Sequence, residues 1–419
     1  MSDNDYDIVI FEDDRFPNLL PLVYYRAVFD LRCGSRTLRQ RISANYPNSS
    51  PTLFLRDELA RVSALDDTAV VKSQLDQPRR TLFINGRSLL TSTINPDPNT
   101  QTLIGLKDSQ IAYIWADPDL AANLTSEIFR DPDRLSYILE PFPKTKTHIT
   151  LINYPWDLVH HNESALIHDW HLINDPQIQG HLYPGVHLLA KENISIGPGT
   201  TIKPSTVLDA ENGPIIIGQN VTIKPNCTLE GPLFIGDNSL IQPGSVISET
   251  VSIGPVCKVG GELESSIIHS HSNKQHDGFL GHSYIGSWVN LAADTINSDL
   301  KNTYGPVRVP INGREVDSGH MFVGLTMGDF SKTSVNTMFS TGSVVGFGCS
   351  IFNSGFVPRF VPSFSWLTDQ GRSAAILEKV IEIAEKVMAR RKVSLSDAER
   401  QLFQAIHRQS QEYEYCSVV

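Results

Sequence analysis

Residues 215–260 read IIIGQNVTIKPNCTLEGPLFIGDNSLIQPGSVISETVSIGPVCKVG. Within them an aliphatic residue returns at every sixth position: Ile217, Ile223, Leu229, Ile235, Ile241, Ile247, Ile253 and Val259. An α-helix repeats at about 3.6 residues and a strand at two, so neither produces that spacing. It is the hexapeptide repeat of a parallel β-helix, in which three short strands make one turn and each hexad points its aliphatic side chain into a stacked core. Gly follows Ile196, Ile217, Ile235 and Ile253 directly, and Pro204, Pro225 and Pro243 stand two residues after other members. Such residues suit corners, where the backbone needs positive or fixed φ.

Upstream the repeat reaches Ile196 and Ile202, with three extra residues inserted in LDAENGP (208–214). After Val259 the phase slips. The spacing predicts a new frame through Ile267, Phe279, Ile285 and Leu291, resumed at Met327, Phe339, Val345, Ile351 and Val357. Between them residues 298–322 lack the period and are expected to leave the helix as a loop. Register breaks and ejected loops are where a repeat scaffold builds its binding site.

The flanking segments follow other rules. In residues 1–170 the runs DIVIFED (7–13), TLFLRD (52–57), RTLFINGRS (80–88) and AYIW (112–115) read as buried strands. LRQRIS and LTSEIF read as parts of intervening helices. The alternation predicts an α/β sandwich with a mainly parallel sheet, whose ligands bind at the carboxyl ends of the strands. Glu12, Asp13, Asp14 and Arg15 follow the first strand there. At the other end AAILEKVIEIAEKVMARR carries one apolar face of a helix, and Ser396 with Glu399 forms a capping box for a second. The expected organisation is therefore an α/β domain over 1–170, a β-helix over 171–366 and a helical tail over 367–419.

Composition narrows the function classes. The chain has 419 residues, 40% hydrophobic and 19% charged, as in a globular protein of two or three domains. Its net charge of −11 argues against nucleic-acid binding, which depends on clustered Lys and Arg. No apolar run is long enough to cross a bilayer, and the acidic N-terminus does not read as a signal peptide. Cys33, Cys227, Cys257, Cys349 and Cys416 are scattered, without CxxC. Reduced thiols in a cytoplasmic protein are expected.

Four of the thirteen histidines crowd into HSHSNKQHDGFLGHSYIG (269–286): His269, His271, His276 and His282. As a metal set they are poor. His276 and His282 are six residues apart, so in a hexapeptide solenoid they lie on successive faces and diverge. No cysteine or regularly spaced carboxylate completes a tetrahedral site, so no metal is expected in the β-helix. A single histidine beside an ejected loop suits general-base chemistry on an activated acyl donor, because its pKa lies near neutrality. Solvated surface residues are the bland alternative, and position alone leaves both open.

The stretch SNKQHDGFLGHSYIGSWVNLAADTINSDLKN (272–302) resembles the acetyltransferase site of the bifunctional GlmU family. That family acetylates glucosamine-1-phosphate and uridylylates the product to UDP-N-acetylglucosamine. The resemblance implies a left-handed β-helix acyltransferase, assembled as a homotrimer, behind a nucleotidyltransferase-like α/β domain. FEDD, LLPLVYYRAVFDLRCGSRTLR, FINGR and NYPWDL extend it into the N-terminal part, and FVG, GD, KT and PSFSW into the C-terminal part.

Laid on the family's H-x-x-Y-x-G-x-x-x-I-G-x-x-V-N pattern, His276 falls at the catalytic base, with Gly281, Ile285, Gly286, Val289, Asn290 and Thr295 in register. The resemblance implies Glu262 as the carboxylate supporting His276, and Asn290 as the group that orients the acceptor. Ala292 and Ala293 would bring backbone amides to the CoA arm of acetyl-CoA. Lys274, Phe279, Asp299 and Lys301 are the implied acceptor-binding positions, with Arg308 as a further cation in the loop. Phe279 stands where the family keeps tyrosine and Asp299 where it keeps asparagine. Val246 and Glu264 stand where it keeps the Arg and Lys that hold the acceptor's phosphate. The expected partners are a sugar phosphate, an acyl-CoA and UTP or another NTP, with no nucleic acid and no membrane.

The N-terminal part has no G-x-G-T-R loop after its first strand; EDDRFP stands there. A nucleotide would then need Arg26 and Arg32, with Arg39 in support, on its phosphates. Asp13 or Asp14 would take Mg²⁺, and Asn85 and Arg87 would stand nearby. Two other classes remain: a non-catalytic hexapeptide scaffold or sugar-nucleotide sensor, and a metalloenzyme on the same scaffold.

Overall fold

The computed structural model describes residues 6–66, 69–97, 100–173 and 176–415. Cys416 lies outside them; Cys33, Cys227, Cys257 and Cys349 are free and buried. The chain divides into two compact units. The first holds the residues up to Leu19, Tyr25–Leu31 and Arg36–Asn153; the second holds Leu20–Tyr24, Arg32–Ser35 and the rest from Tyr154.

In the first unit, strand Asp7–Phe11 lies inside a seven-stranded sheet, between the parallel strands Thr52–Phe54 and Thr81–Asn85, the latter central. Strand Gln110–Ala116 pairs antiparallel with both Thr81–Asn85 and Leu103–Lys107, so the sheet is mixed. The apolar runs do become buried strands. Phe11, Phe54, Phe83 and Phe129 pack in one core with Ile114 and Leu135. LRQRIS lies in helix Leu38–Asn45, capped by Thr37 and Gln40. LTSEIF differs from expectation: it makes a turn and one short 3-10 segment, Ile128–Arg130.

The second unit is the parallel β-helix that the hexapeptide repeat predicts. Its parallel strands line three faces. The first face runs from His181–Leu182 through Lys258–Val259, Asn273–Lys274, Asn290–Leu291 and Lys332–Thr333 to Ser365–Thr368. The second runs from His187–Leu189 through Val246–Ser248 and Glu262–Glu264 to Phe279–Gly281. It is followed by a separate sheet of Ile296–Asn297, Met338–Phe339 and Phe356–Val357. The third runs from Ile194–Ile196 to Phe360–Val361. Every aliphatic of the six-residue series from Ile217 to Val259 is at most 2% exposed and belongs to one core.

Past Val259 the coil shortens, and the frame shifts from the one expected. Ile268 and Leu280 enter the core, not Ile267 and Phe279, while Ile285 and Leu291 hold their places. Phe279 consequently faces outward on the second face. The register shows why: Val259 pairs with Lys274 and Leu263 with Leu280, spacings shorter than the three hexads of a full turn.

Residues 298–322 do leave the coil, and they fold back as the antiparallel hairpin Arg308–Ile311 with Arg314–Asp317. Val307, Val309 and Ile311 of this excursion pack with Val323, Val344 and Trp156. Trp156 lies in helix Pro155–His160, which with Asn162–His171 belongs to the second unit. The expected boundary at 170 thus falls inside a packed region. Asn162 explains the attachment, its Oδ1 accepting from Ser252 Oγ and Gly34 N. At the C-terminus, helices Leu377–Ala389 and Asp397–Tyr415 form, and the Ser396–Glu399 capping box is made in both directions.

Candidate active site

Strand Phe279–Gly281 is bracketed by two corners of the coil. His276 lies in the corner between first and second faces, His282 in the corner between second and third. The first corner is built from below. Lys274 occupies an inward position where the hexad usually puts an aliphatic residue, and it is buried. Its Nζ donates to the carbonyls of Gly260 (3.2 Å), His276 (2.5 Å) and Asp277 (3.2 Å). Burial pushes the ammonium down to about 8. Lys274 therefore clamps the backbone beneath His276 and has no donor left for a substrate, contrary to the binding role the resemblance implied.

Above that clamp the His276 side chain is exposed, and no hydrogen bond or ion pair engages its ring among the described residues. Glu262, also exposed, pairs in register with Phe279 on the second face and makes no ion pair with His276. One coil further on, the corner holding Ala292 and Ala293 stacks on that of His276, with Asp294 N donating to Asp277 O at 3.1 Å. Ala292 N donates to Thr333 Oγ1 and Ala293 O accepts from Asn336 N, so the backbone there is pinned. The stacking puts the implied CoA positions and the implied base in one column.

Asn290 points elsewhere. It stands on the first face, where its Oδ1 accepts from Asn273 Nδ2 at 3.2 Å and its strand pairs with that of Lys332. In one chain Asn290 and Glu262 lie on different faces, meeting only at the edge where His276 sits. The second face is acidic: burial, and then the carboxylates of Glu249, Glu262 and Asp299, push Glu264 above its ordinary value.

The other corner carries a contact that the sequence did not indicate. His282 Nδ1 lies 2.9 Å from Asp299 Oδ2, and both side chains are largely buried. Beside an ionised Asp299 the proton sits on Nδ1, which leaves Nε2 as the basic nitrogen. The His282 ring stacks on Phe322, and His160 stacks on His320 with centroids 3.8 Å apart. Burial and then the neighbouring His320 and His282 pull His160 down to about 4, so it is neutral near pH 7. Position 299 was legible; its partner His282 lies 17 residues back, one shortened coil away, and the excursion returns Phe322 and His320 to the same corner. Lys301 instead donates to Pro306 O at 2.6 Å within the excursion, and Arg308 is exposed on its hairpin. His269 and His271 are not surface residues: His269 is buried near Ser287 Oγ, and His271 stacks on Trp288.

The acidic cluster of the first unit is internally satisfied. Asp13 receives Arg87 Nε (2.9 Å) and Nη2 (2.5 Å) and Asn85 Nδ2 (2.9 Å). Arg87 is fully buried and also donates to Ile152 O, Asn153 Oδ1 and Gln110 Oε1. Asn85 spends its remaining groups on Ile111 O and Arg87 N. These three residues build the end of the strand, so Arg87 and Asn85 are not free for a nucleotide, nor Asp13 for Mg²⁺.

Only Asp14 of the pair is exposed, and burial of its surroundings together with Asp13 raises its pKa. It lines a cavity of about 260 Å³ with Arg15, Gln110 and Lys144. Arg39 bridges Asp30 and Asp66. Arg26 lies within electrostatic reach of Asp30. Arg32 belongs to the second unit, where it is buried over the Phe234 ring and donates to Ser35 O. Among the described residues no group of three or more His, Cys, Asp or Glu is arranged to hold a metal ion. No helix among them is long and apolar enough to cross a membrane.

Residues 8–177 match the family described as sugar nucleotidyl transferase. Over 102 residues the chain is 33% identical to the bifunctional protein GlmU of Methanocaldococcus jannaschii, covering 24% of this chain and 25% of that one. In that stretch the chain is similar to GlmU. It is also 30% identical, over 151 residues, to the bifunctional sugar-1-phosphate nucleotidylyltransferase/acetyltransferase of Sulfurisphaera tokodaii, covering 36% and 38% of the two chains. With GlmU of Synechococcus elongatus the identity is 26% over 190 residues, covering 41% and 37%. The chain thus spans a quarter to two fifths of the length of these curated relatives. LpxA from Acinetobacter baumannii aligns with 57% of it at 13% identity, with a TM-score of 0.26.

Proposed function

We propose that the β-helix transfers an acyl group from an acyl-CoA to an amine, with His276 as general base. The supporting observation is the corner itself: an exposed, unclaimed imidazole on a rigidly clamped backbone, in one column with Ala292 and Ala293. The thioester is already activated, so the enzyme's main task is to take a proton from the attacking nitrogen, which a neutral imidazole near pH 7 performs. The acidic second face, with Glu262, Glu264 and Asp299, attracts an ammonium group and repels a phosphate. An amino sugar whose phosphate, if present, lies away from that face fits these charges.

Asn290 would then meet the acceptor across an interface between copies, since it and Glu262 stand on different faces of one chain; a homotrimer supplies that arrangement. For the first unit we propose recognition of a nucleotide or sugar nucleotide of the UDP-N-acetylglucosamine type in the cavity beside Asp14 and Arg15. Asp14, and not Asp13, would be the carboxylate open to Mg²⁺ carried in on substrate phosphates. Residence in the cytoplasm accords with that substrate class.

A second reading makes His282 the base, with Asp299 fixing its tautomer, and the 2.9 Å contact favours it. CoA release from acetyl-CoA with a panel of amino sugars separates the two. Loss in His276→Ala with activity kept in His282→Ala and Asp299→Asn supports the first reading; the reverse supports the second. Undetectable turnover in the unmodified protein across the panel, with ligand-induced thermal stabilisation retained, would leave a binding protein.

A further inference from the structure

Apart from both histidine corners, the first face carries a concentration of positive charge. Lys258 pairs in register with Asn273, Asn273 with Asn290 and Asn290 with Lys332, so all four stand in one outward column. Adjacent strands are about 4.8 Å apart, which separates the two lysine Cα atoms by about 14 Å. Arg390 and Arg391, just past the end of helix Leu377–Ala389, face the same column. Together these residues line a cleft of about 280 Å³ that no carboxylate lines. Arg391 Nη2 donates to Asn273 Oδ1 at 2.7 Å, and the Trp288 indole under His271 forms an aromatic wall.

We propose that this cleft binds a ligand bearing a diphosphate. Four cations held together without an acid repel one another, and a diphosphate relieves that cost while taking paired N–H donors from arginine and single ones from lysine. Burial, and then the charges of Arg391, Arg390 and Lys224, hold Lys258 below its ordinary value. Burial brings Lys332 down to about 8, and its only hydrogen-bond acceptor among the described residues is Phe330 O, at 2.8 Å. Arg390 and Arg391 also offset the carbonyl end of their helix, a duty that cations serve elsewhere. Lys258 and Lys332 stand on the coil and have no such role. The column is as long as a diphosphate with its flanking groups, and longer than one phosphate needs. The inference stands whichever histidine acts, and also if neither does.

Two sources carry this chemistry, the acyl donor and a sugar nucleotide, and calorimetry on the full chain distinguishes them. Pyrophosphate is expected to bind saturably, more tightly than orthophosphate, and less tightly as salt rises. The double variant Lys258→Gln, Lys332→Gln should weaken it by about tenfold or more while its thermal melt stays unchanged. The single Lys258→Gln variant, on the half-exposed rim, serves if the double one does not fold. Displacement of pyrophosphate by CoA but not UDP identifies the donor as the source, and the opposite result identifies a nucleotide. Absence of saturable pyrophosphate binding at millimolar concentration overturns the proposal. So does equal affinity in the variants, or a variant whose only change is in the number of copies assembled.

Discussion

At the end of strand Asp7–Phe11 a charged side chain meets four partners, whereas at the corner before Phe279–Gly281 an imidazole meets none among the described residues. Arg87 and Asp13 are buried and satisfy one another with Asn85 and Gln110. His276 is exposed and unpaired above a Lys274 clamp that is itself saturated. The contrast separates two uses of polar residues. A group whose bonds are all made inside the protein holds shape, and a group left open on a rigid support can exchange protons with a substrate. By that criterion the candidate chemistry of this chain lies on the β-helix, and Asp13, Asn85 and Arg87 are architecture, with Asp14 alone of the acidic pair left open.

The sharpest way to break the comparison is at the buried pair. Arg87→Met leaves Asp13 charged and unpaired, and should lower unfolding free energy by about 3–5 kcal/mol in denaturant titration. A loss below ~1 kcal/mol would return Arg87 to the list of candidate ligands. Glu414 gives an intermediate case, a buried carboxylate whose hydrogen bonds come from the neutral donors Tyr24 Oη, Ser363 N and Ser363 Oγ. Burial pushes it up to about 7 from 4.5. The unfolded chain ionises first as pH rises, so its contribution to stability is full below about 4.5, falls through about 7 and is level above that. The window is worth about 3 kcal/mol, and Glu414→Gln should flatten the slope of melting temperature against pH over that range.

Lys274→Met tests the clamp. It strands three carbonyls that now accept from Nζ and should cost about 1–3 kcal/mol, with a larger fall in any CoA-releasing activity than in stability. Equal falls in both would make Lys274 a packing residue only. Smallest is Ser396→Ala, which removes one half of a capping box and should cost about 1 kcal/mol with no change in activity.

What was legible in the sequence follows the range of the interactions. Ser396 with Glu399, and the aliphatics from Ile217 to Val259, depend on spacing alone, and they form as read. The frame failed at Ile267 and Phe279 because the coil shortens there, and a fixed period carries no information on coil length. Asp13 and Arg87 are 74 residues apart, and their pairing depends on which strands become neighbours. Lys274 was read as an acceptor-binding cation from the resemblance; it points inward where the hexad usually puts an aliphatic residue, and three converging carbonyls make that tolerable. Asp299 was singled out as a position, but its bond to His282 spans 17 residues, one shortened coil, and so depends on the coil length that the period does not carry. The cationic cleft on the first face is invisible in a sequence of net charge −11, because its cations come from two separate strands and a helix end.

The most direct test of the central claim is the rate of CoA release from acetyl-CoA and an amino-sugar acceptor, in the unmodified protein, His276→Ala and His282→Ala. If His276 is the base, its replacement should lower kcat/KM by about 10²- to 10⁴-fold, with the melting temperature unchanged and His282→Ala close to the unmodified protein. Full activity in His276→Ala would contradict the account.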